Sequence, residues 1–143
     1  MSTEYLVEAV HRQGMRFECT AGTHSVTLDY PVKADDDGVG PRPLEMLLGS
    51  LTACVGGGMV ALLRRSGQSF DAFTVRARAC RREEHPTVFT EIGLELLFRG
   101  AVDGEVVEHC LAQAEQICPV LVMLRAGTPI TISYRIAQEM SPS

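Results

Sequence analysis

The sequence predicts an α+β domain in which antiparallel strands surround long helices. Three observations carry that expectation. Apolar and polar residues alternate with period two near both ends and in the middle of the chain. An apolar run from Pro43 to Arg65 is far too long for a strand. A second stretch, from Asp103 to Cys118, has its apolar residues at helical spacing.

In chain order, residues 4 to 30 read as strands. Met15, Phe17 and Cys19 alternate with Arg16, Glu18 and Thr20, and Val26, Leu28 and Tyr30 alternate with Thr27 and Asp29. "TAGTH" at 20–24 fits a turn between them. "PVKADDDGVGPRP" at 31–43 has the aspartates, glycines and prolines of a loop, and its last proline suits a first helical turn. The helix that follows is expected to run to Arg65, to stop at Gly67 and to be buried nearly all round. "FTVRARACRR" and "TVFTEIGLELLF" read as a hairpin joined near "EEHP". Its outer faces carry arginines and glutamates suited to cross-strand ion pairs, and Val88, Thr90, Ile92, Leu94, Leu96 and Phe98 are expected to face the core. In the second helix Val107, Cys110, Leu111, Ala114, Ile117 and Leu121 share a helical spacing, with Asp103 as N-cap. Pro119 should end that helix near Cys118 and open a short new turn. "PITISYRI" closes as a strand.

Composition narrows the function classes. The 143 residues read as a single domain, 1–143, with 45% hydrophobic residues for a core. A formal net charge of −5 argues against nucleic acid as a partner. The start, "MSTEYLVEAV", lacks the basic residues of a signal peptide. Five scattered cysteines without a C-x-x-C pair fit a reducing cytoplasm better than a disulfide scaffold or a zinc site. Leu44 to Leu63 is long enough to cross a bilayer, but Glu45 and three glycines interrupt it, which favours a buried helix.

Two cysteines stand out. Cys118, before Pro119 at a helix start, would gain thiolate character from the helix dipole; filling a kink is the equally weighted alternative. Cys54, deep in the apolar helix, reads from spacing alone as an inert buried thiol. Cys19, Cys80 and Cys110 read as structural. Gly56, Gly57 and Gly58 follow Cys54 and would cost a helix roughly 3 kcal/mol relative to alanine. Close approach of another helix or subunit, or room for substrate, would account for that expense.

"GPRPLEMLLGSLTACV" at 40–55 and "QICPVLVMLRAGTPITISYRI" at 116–136 together resemble the OsmC/Ohr family of osmotically inducible and organic hydroperoxide resistance proteins. The 64-residue separation of the two cysteines fits as well. The start, "HRQGMRFECTAGTHSVTLDYP", is closer to the OsmC-like branch than to typical Ohr proteins. The resemblance implies an intertwined α+β homodimer with antiparallel sheets around long central helices, and active sites at the subunit interface. It also reverses the reading of Cys54. By resemblance Cys54 is the peroxidatic thiol of an enzyme acting on organic or lipid hydroperoxides, and Cys118 resolves its sulfenic acid as a disulfide. An external dithiol, such as a lipoylated protein, would be the reductant; no metal or organic cofactor, nucleic acid or membrane is implied.

The family's activating cation is an arginine held by a glutamate. Arg12, in "RQG", is the candidate, Arg16 the runner-up, and Glu45 the glutamate. Glu45 lies one residue nearer the cysteine than its counterpart in the peroxidases, a rotation of about 100° on a helix. Nine residues of helix separate Glu45 from Cys54 by about 13 Å. Met46, Leu47 and Met59 suit either an alkyl tail or core packing. The alternative function is a dimeric small-molecule-binding or redox-sensing protein without peroxidase turnover; a redox protein acting on disulfides is a third.

Overall fold

The computed structural model describes residues 2–31 and 36–137, so residues 32–35 of the expected loop lie outside the described residues. The chain divides between Leu48 and Gly49 into two compact units, with one long helix crossing the division.

The N-terminal unit is a three-stranded antiparallel sheet of β1 (Glu8–Gln13), β2 (Arg16–Ala21) and β3 (His24–Leu28), in that spatial order. The alternation of "MRFECT" and "SVTL" specifies these strands, and the turn falls where "TAGTH" placed it. Asp29 then ties the returning chain to the end of β3. Its carboxylate accepts the Tyr30 and Val39 N–H groups at 2.9 and 3.1 Å, and its own N–H donates to Pro41 O at 3.1 Å. Gly40 is required beside this clamp, because a Cβ there would be driven into the Thr27 carbonyl. Strand β1 is exposed along its whole length, and Val10, Met15, Phe17 and Val26 are exposed apolar side chains.

Helix α1 (Pro43–Arg65) has the predicted bounds, and Gly67 beyond it takes the left-handed conformation, φ +76°. Its burial differs from expectation. Leu51, Val55, Met59, Leu62 and Leu63 are buried, whereas Ser50, Ala53, Gly57 and Ala61 are exposed. One stripe at helical spacing packs into the core of this chain, and the opposite stripe of small residues is bare. Among the described residues α1 is the one helix long and apolar enough to cross a membrane.

In the C-terminal unit, β4 (Ala72–Arg81) pairs antiparallel with β5 (Phe89–Arg99). Helices α2 (Gly104–Ile117) and α3 (Pro119–Arg125) then lead to β6 (Ile130–Ala137), which pairs with β5 in parallel. The α+β class stands, and the expectation of wholly antiparallel sheets is corrected at this strand. A helical crossover returns the chain to the same end of the sheet, so the next strand must run parallel. The inner face is Ile92, Leu94, Leu96 and Phe98 from β5, with Val107, Cys110 and Ala114 from α2 and Leu121 from α3 completing the core. Val88 and Thr90, expected inside, are exposed. A bulge is the reason: Cys80 pairs with Glu91 but Arg81 pairs with Phe89. The extra residue, Thr90, turns out and hydrogen-bonds Cys80 O at 3.1 Å, and Phe89 takes the inward place. On the outer face Arg76 and Arg135 flank Glu95 at 3.3 and 2.8 Å; the first is the hairpin ion pair that the charge pattern predicted, and the second comes from β6.

Candidate active site

Two chain features bring Cys54 and Cys118 together. The first is the break between α2 and α3. Pro119 lacks an N–H and disfavours helical angles at the residue before it, and Cys118 is extended, at φ −73° and ψ 111°. Cys118 nevertheless belongs to both helices. Its N–H donates to Ala114 O at 2.9 Å, closing α2, and its carbonyl accepts the Val122 N–H at 3.0 Å, opening α3. With its backbone held on both sides, the side chain projects inward and is 3% exposed.

The second feature is α1, which presents half-buried Cys54 between its buried and bare stripes. The Cys118 thiol donates to the Cys54 carbonyl oxygen, with sulfur and oxygen 3.6 Å apart. Burial pushes the Cys118 thiol above its ordinary value near 9.0, and the charge and hydrogen bonding of neighbouring Cys54 raise it further. Helix-start activation of Cys118 is therefore corrected. Its thiol faces α1 and makes no cap hydrogen bond in α3, and desolvation dominates. Cys118 is a protonated donor, and Cys54 is the more accessible thiol of the pair.

The other expected site residues belong to the N-terminal unit. Arg12 sits at the β1 irregularity between His11 and Gln13 and forms a 3.1 Å ion pair with Glu18. Arg16 lies 3.6 Å from Asp29 through Nε, a buried atom that has no hydrogen-bond partner. Glu45, in the first turn of α1, accepts the Arg42 N–H at 2.9 Å, the reach-back half of a capping box. Of the three residues considered for an alkyl tail, Met59 is core at 0% exposure, while Leu47 is exposed.

Sequence reasoning missed two features. Gly58 lies directly under the Cys118 sulfur, a relation readable only as a spacing of four from Cys54. Ile117, Val122 and Met123, close to Cys118 in the chain, are exposed apolar residues, although Ile117 was expected on the core face. All five cysteines are free, with Cys80 exposed and Cys110 buried 3.7 Å from Ser66 Oγ. Among the described residues no three metal-ligating side chains cluster.

Comparison with known proteins gives the arrangement a family. Residues 34–133 match the OsmC-like protein family. Protein YhfA of Escherichia coli (strain K12) is 29% identical over 119 residues, covering 82% of this chain and 86% of that protein. A hypothetical protein from Aquifex aeolicus VF5 has the same fold, with a TM-score of 0.85 at 23% identity over 97% of this chain and 100% of that one. An organic hydroperoxide resistance protein from Elizabethkingia anophelis superposes with a TM-score of 0.70 at 20% identity over 97% and 100% of the two chains. With the family matched across both cysteines, this protein belongs to the OsmC-like family, and it shares its fold with the organic hydroperoxide resistance protein along nearly the whole chain.

Proposed function

We propose that the protein is a thiol peroxidase that reduces organic or lipid hydroperoxides through Cys54 and Cys118. The observation that carries this reading is the seating of the Cys118 thiol on the Cys54 carbonyl, with Cys54 itself half accessible. The Cys54 thiolate attacks a peroxide oxygen and the O–O bond breaks. Cys54 becomes a sulfenic acid, and the alkoxide takes a proton from water and leaves as the alcohol. The Cys118 thiol then condenses with the sulfenic acid, forming the Cys54–Cys118 disulfide and releasing water. An external dithiol, such as a lipoylated protein, restores both thiols and is itself oxidised to a disulfide. Cys118 suits the second role, since its raised pKa keeps it protonated while Cys54 reacts. Exposed Ile117, Val122 and Met123 support an apolar substrate.

The working form is a cytoplasmic homodimer. Two observations support it: the exposed apolar residues of the N-terminal unit and the exposed small-residue stripe of α1. In this reading Arg12 stabilises the thiolate and the charge that develops on the breaking O–O bond, with Glu45 as its holder. Both are engaged in the single chain, Arg12 by Glu18 and Glu45 by Arg42 N–H. That engagement favours the second reading, a dimeric binding or redox-sensing protein without turnover.

One experiment separates the two. Reduced protein receives one equivalent of cumene hydroperoxide, with Cys54→Ser as control, and disulfides are mapped by mass spectrometry. A Cys54–Cys118 bond within seconds, absent from the control, is the expected result. Thiols still free after minutes would replace the peroxidase with the binding protein.

A further inference from the structure

Cys54 and Gly58 stand one turn apart on the same side of α1. The Cys54 carbonyl, which by helical geometry accepts the Gly58 N–H, also accepts the Cys118 thiol from outside the helix. The sulfur reaches that carbonyl over bare backbone: a Cβ built on Gly58 would lie 3.0 Å from Cys118 Sγ, too close for an ordinary contact. Nor can the sulfur yield freely. The Cys118 backbone is bonded into α2 through Ala114 and into α3 through Val122, which leaves rotation about χ1 as its freedom. The two neighbouring glycines differ. Gly57 has nothing within 4 Å, and Gly56 faces a Val75 methyl at 3.3 Å.

We infer that Gly58 is a positioning residue for the resolving step: its missing side chain is what seats the Cys118 thiol beside Cys54. The inference rests on the two-cysteine reading. The step it governs is the condensation of the Cys54 sulfenic acid with the Cys118 thiol. The new S–S bond replaces the S–O bond, and the hydroxyl leaves as water with the thiol proton. A side chain at 58 turns the Cys118 sulfur off the carbonyl and delays that step. The preceding attack of Cys54 on peroxide does not involve Cys118 and keeps its rate.

The matched pair Gly58→Ala and Gly57→Ala isolates the effect, because both gain the same helical propensity and only the first meets a sulfur. After one equivalent of cumene hydroperoxide, dimedone trapping follows the sulfenic acid and mass spectrometry follows the disulfide. In Gly58→Ala, sulfenic acid forms at the wild-type rate within twofold and the disulfide forms at least tenfold more slowly. Gly57→Ala, whose methyl group points away from the sulfur, forms the disulfide at least fivefold faster than Gly58→Ala. Wild-type disulfide kinetics in Gly58→Ala, or equal slowing in the two variants, would overturn the inference.

A readout free of peroxide separates this idea from the peroxidase reading. In a Cys54→Ser background, iodoacetamide should label Cys118 at least fivefold faster with Gly58→Ala than with Gly57→Ala across pH 7 to 10. Equal labelling refutes the seat even if turnover is present. A labelling difference without any peroxide reaction sinks the peroxidase and leaves the seat standing. Should Gly58→Ala fold poorly, stability decides. Adding Cys118→Ala should abolish the loss that Gly58→Ala causes, and an equal loss in both backgrounds would refute the contact.

Discussion

Replacing Cys118 with serine tests the division of labour between the two thiols. Serine keeps a donor for the Cys54 carbonyl, and its hydroxyl needs less room beside Gly58 than the sulfur, so the break between α2 and α3 should persist. What it removes is the second sulfur. The magnitude follows from placement. Well-oriented groups in one molecule reach effective molarities of about 10⁵–10⁸ M. Cys118 is seated on the backbone of the residue whose sulfur it must capture, but the sulfenic acid has still to turn toward it. Even an effective molarity of only about 1 M would outpace 1 mM external monothiol about 10³-fold. In Cys118→Ser the Cys54 sulfenic acid should therefore form at the wild-type rate and persist about 10³ times longer at that thiol concentration. Stopped-flow mixing with cumene hydroperoxide, quenched into dimedone and read by mass spectrometry, gives both rates. A Cys118→Ser sulfenic acid as short-lived as wild type would mean that Cys118 does not resolve it, and the geometric argument would fail.

Two further outcomes follow from the same geometry. The Cys118 pKa is raised in the folded state, so above pH 9.0 the folded chain holds more protons than the unfolded chain. The stability owed to the protonated thiol is complete below that pH and is lost as pH rises toward the folded value. Urea unfolding in reductant should show wild type losing stability relative to Cys118→Ser between pH 9 and 10, and parallel curves would refute the assignment. Gly57→Leu has open space around it in the single chain, so it should leave helical content unchanged while converting the proposed dimer to monomer on size-exclusion chromatography. A Gly57→Leu protein that stays dimeric and active would show that the bare stripe of α1 does not meet a second copy.

Much of this fold is legible because punctuation and periodicity act locally. Pro43 and Gly67 bracket α1, Asp103 caps α2 by accepting the Glu105 N–H at 2.9 Å, and Cys118-Pro119 splits α2 from α3. Each depends on neighbours a few residues away. The Arg76–Glu95 pair was legible for a related reason, since alternation alone puts both on the outer face. Other features depend on contacts between distant residues. The direction of β6 is decided by how α2 and α3 carry the chain back, and the exposure of Thr90 by one bulged residue. For the site, the motifs supplied the pair of cysteines but not their states. A helix start would lower the Cys118 pKa; burial against α1 raises it, and burial is a property of packing that spacing does not record. Arg12 and Glu45 were likewise legible as charges, while their partners in this chain, Glu18 and the Arg42 N–H, belong to local pairing and capping.

The three glycines beside Cys54 show how one helix can absorb a propensity cost of roughly 3 kcal/mol. Successive residues turn by about 100°, so Gly56, Gly57 and Gly58 look in three directions within a single turn. Gly56 faces β4, where Val75 Cγ2 would stand 3.3 Å from a Cβ. Gly58 faces Cys118, and Gly57 faces open space. The explanation framed from sequence, one approach shared by all three, is therefore too simple. Sheet packing sets Gly56, and the sulfur sets Gly58. The residue without a neighbour in its own chain is the one whose size only a second chain would notice. A helix that serves a core and a thiol in the same turn, and in the proposed dimer a second copy as well, has no side left for side chains, and the segment beside Cys54 is where those demands coincide.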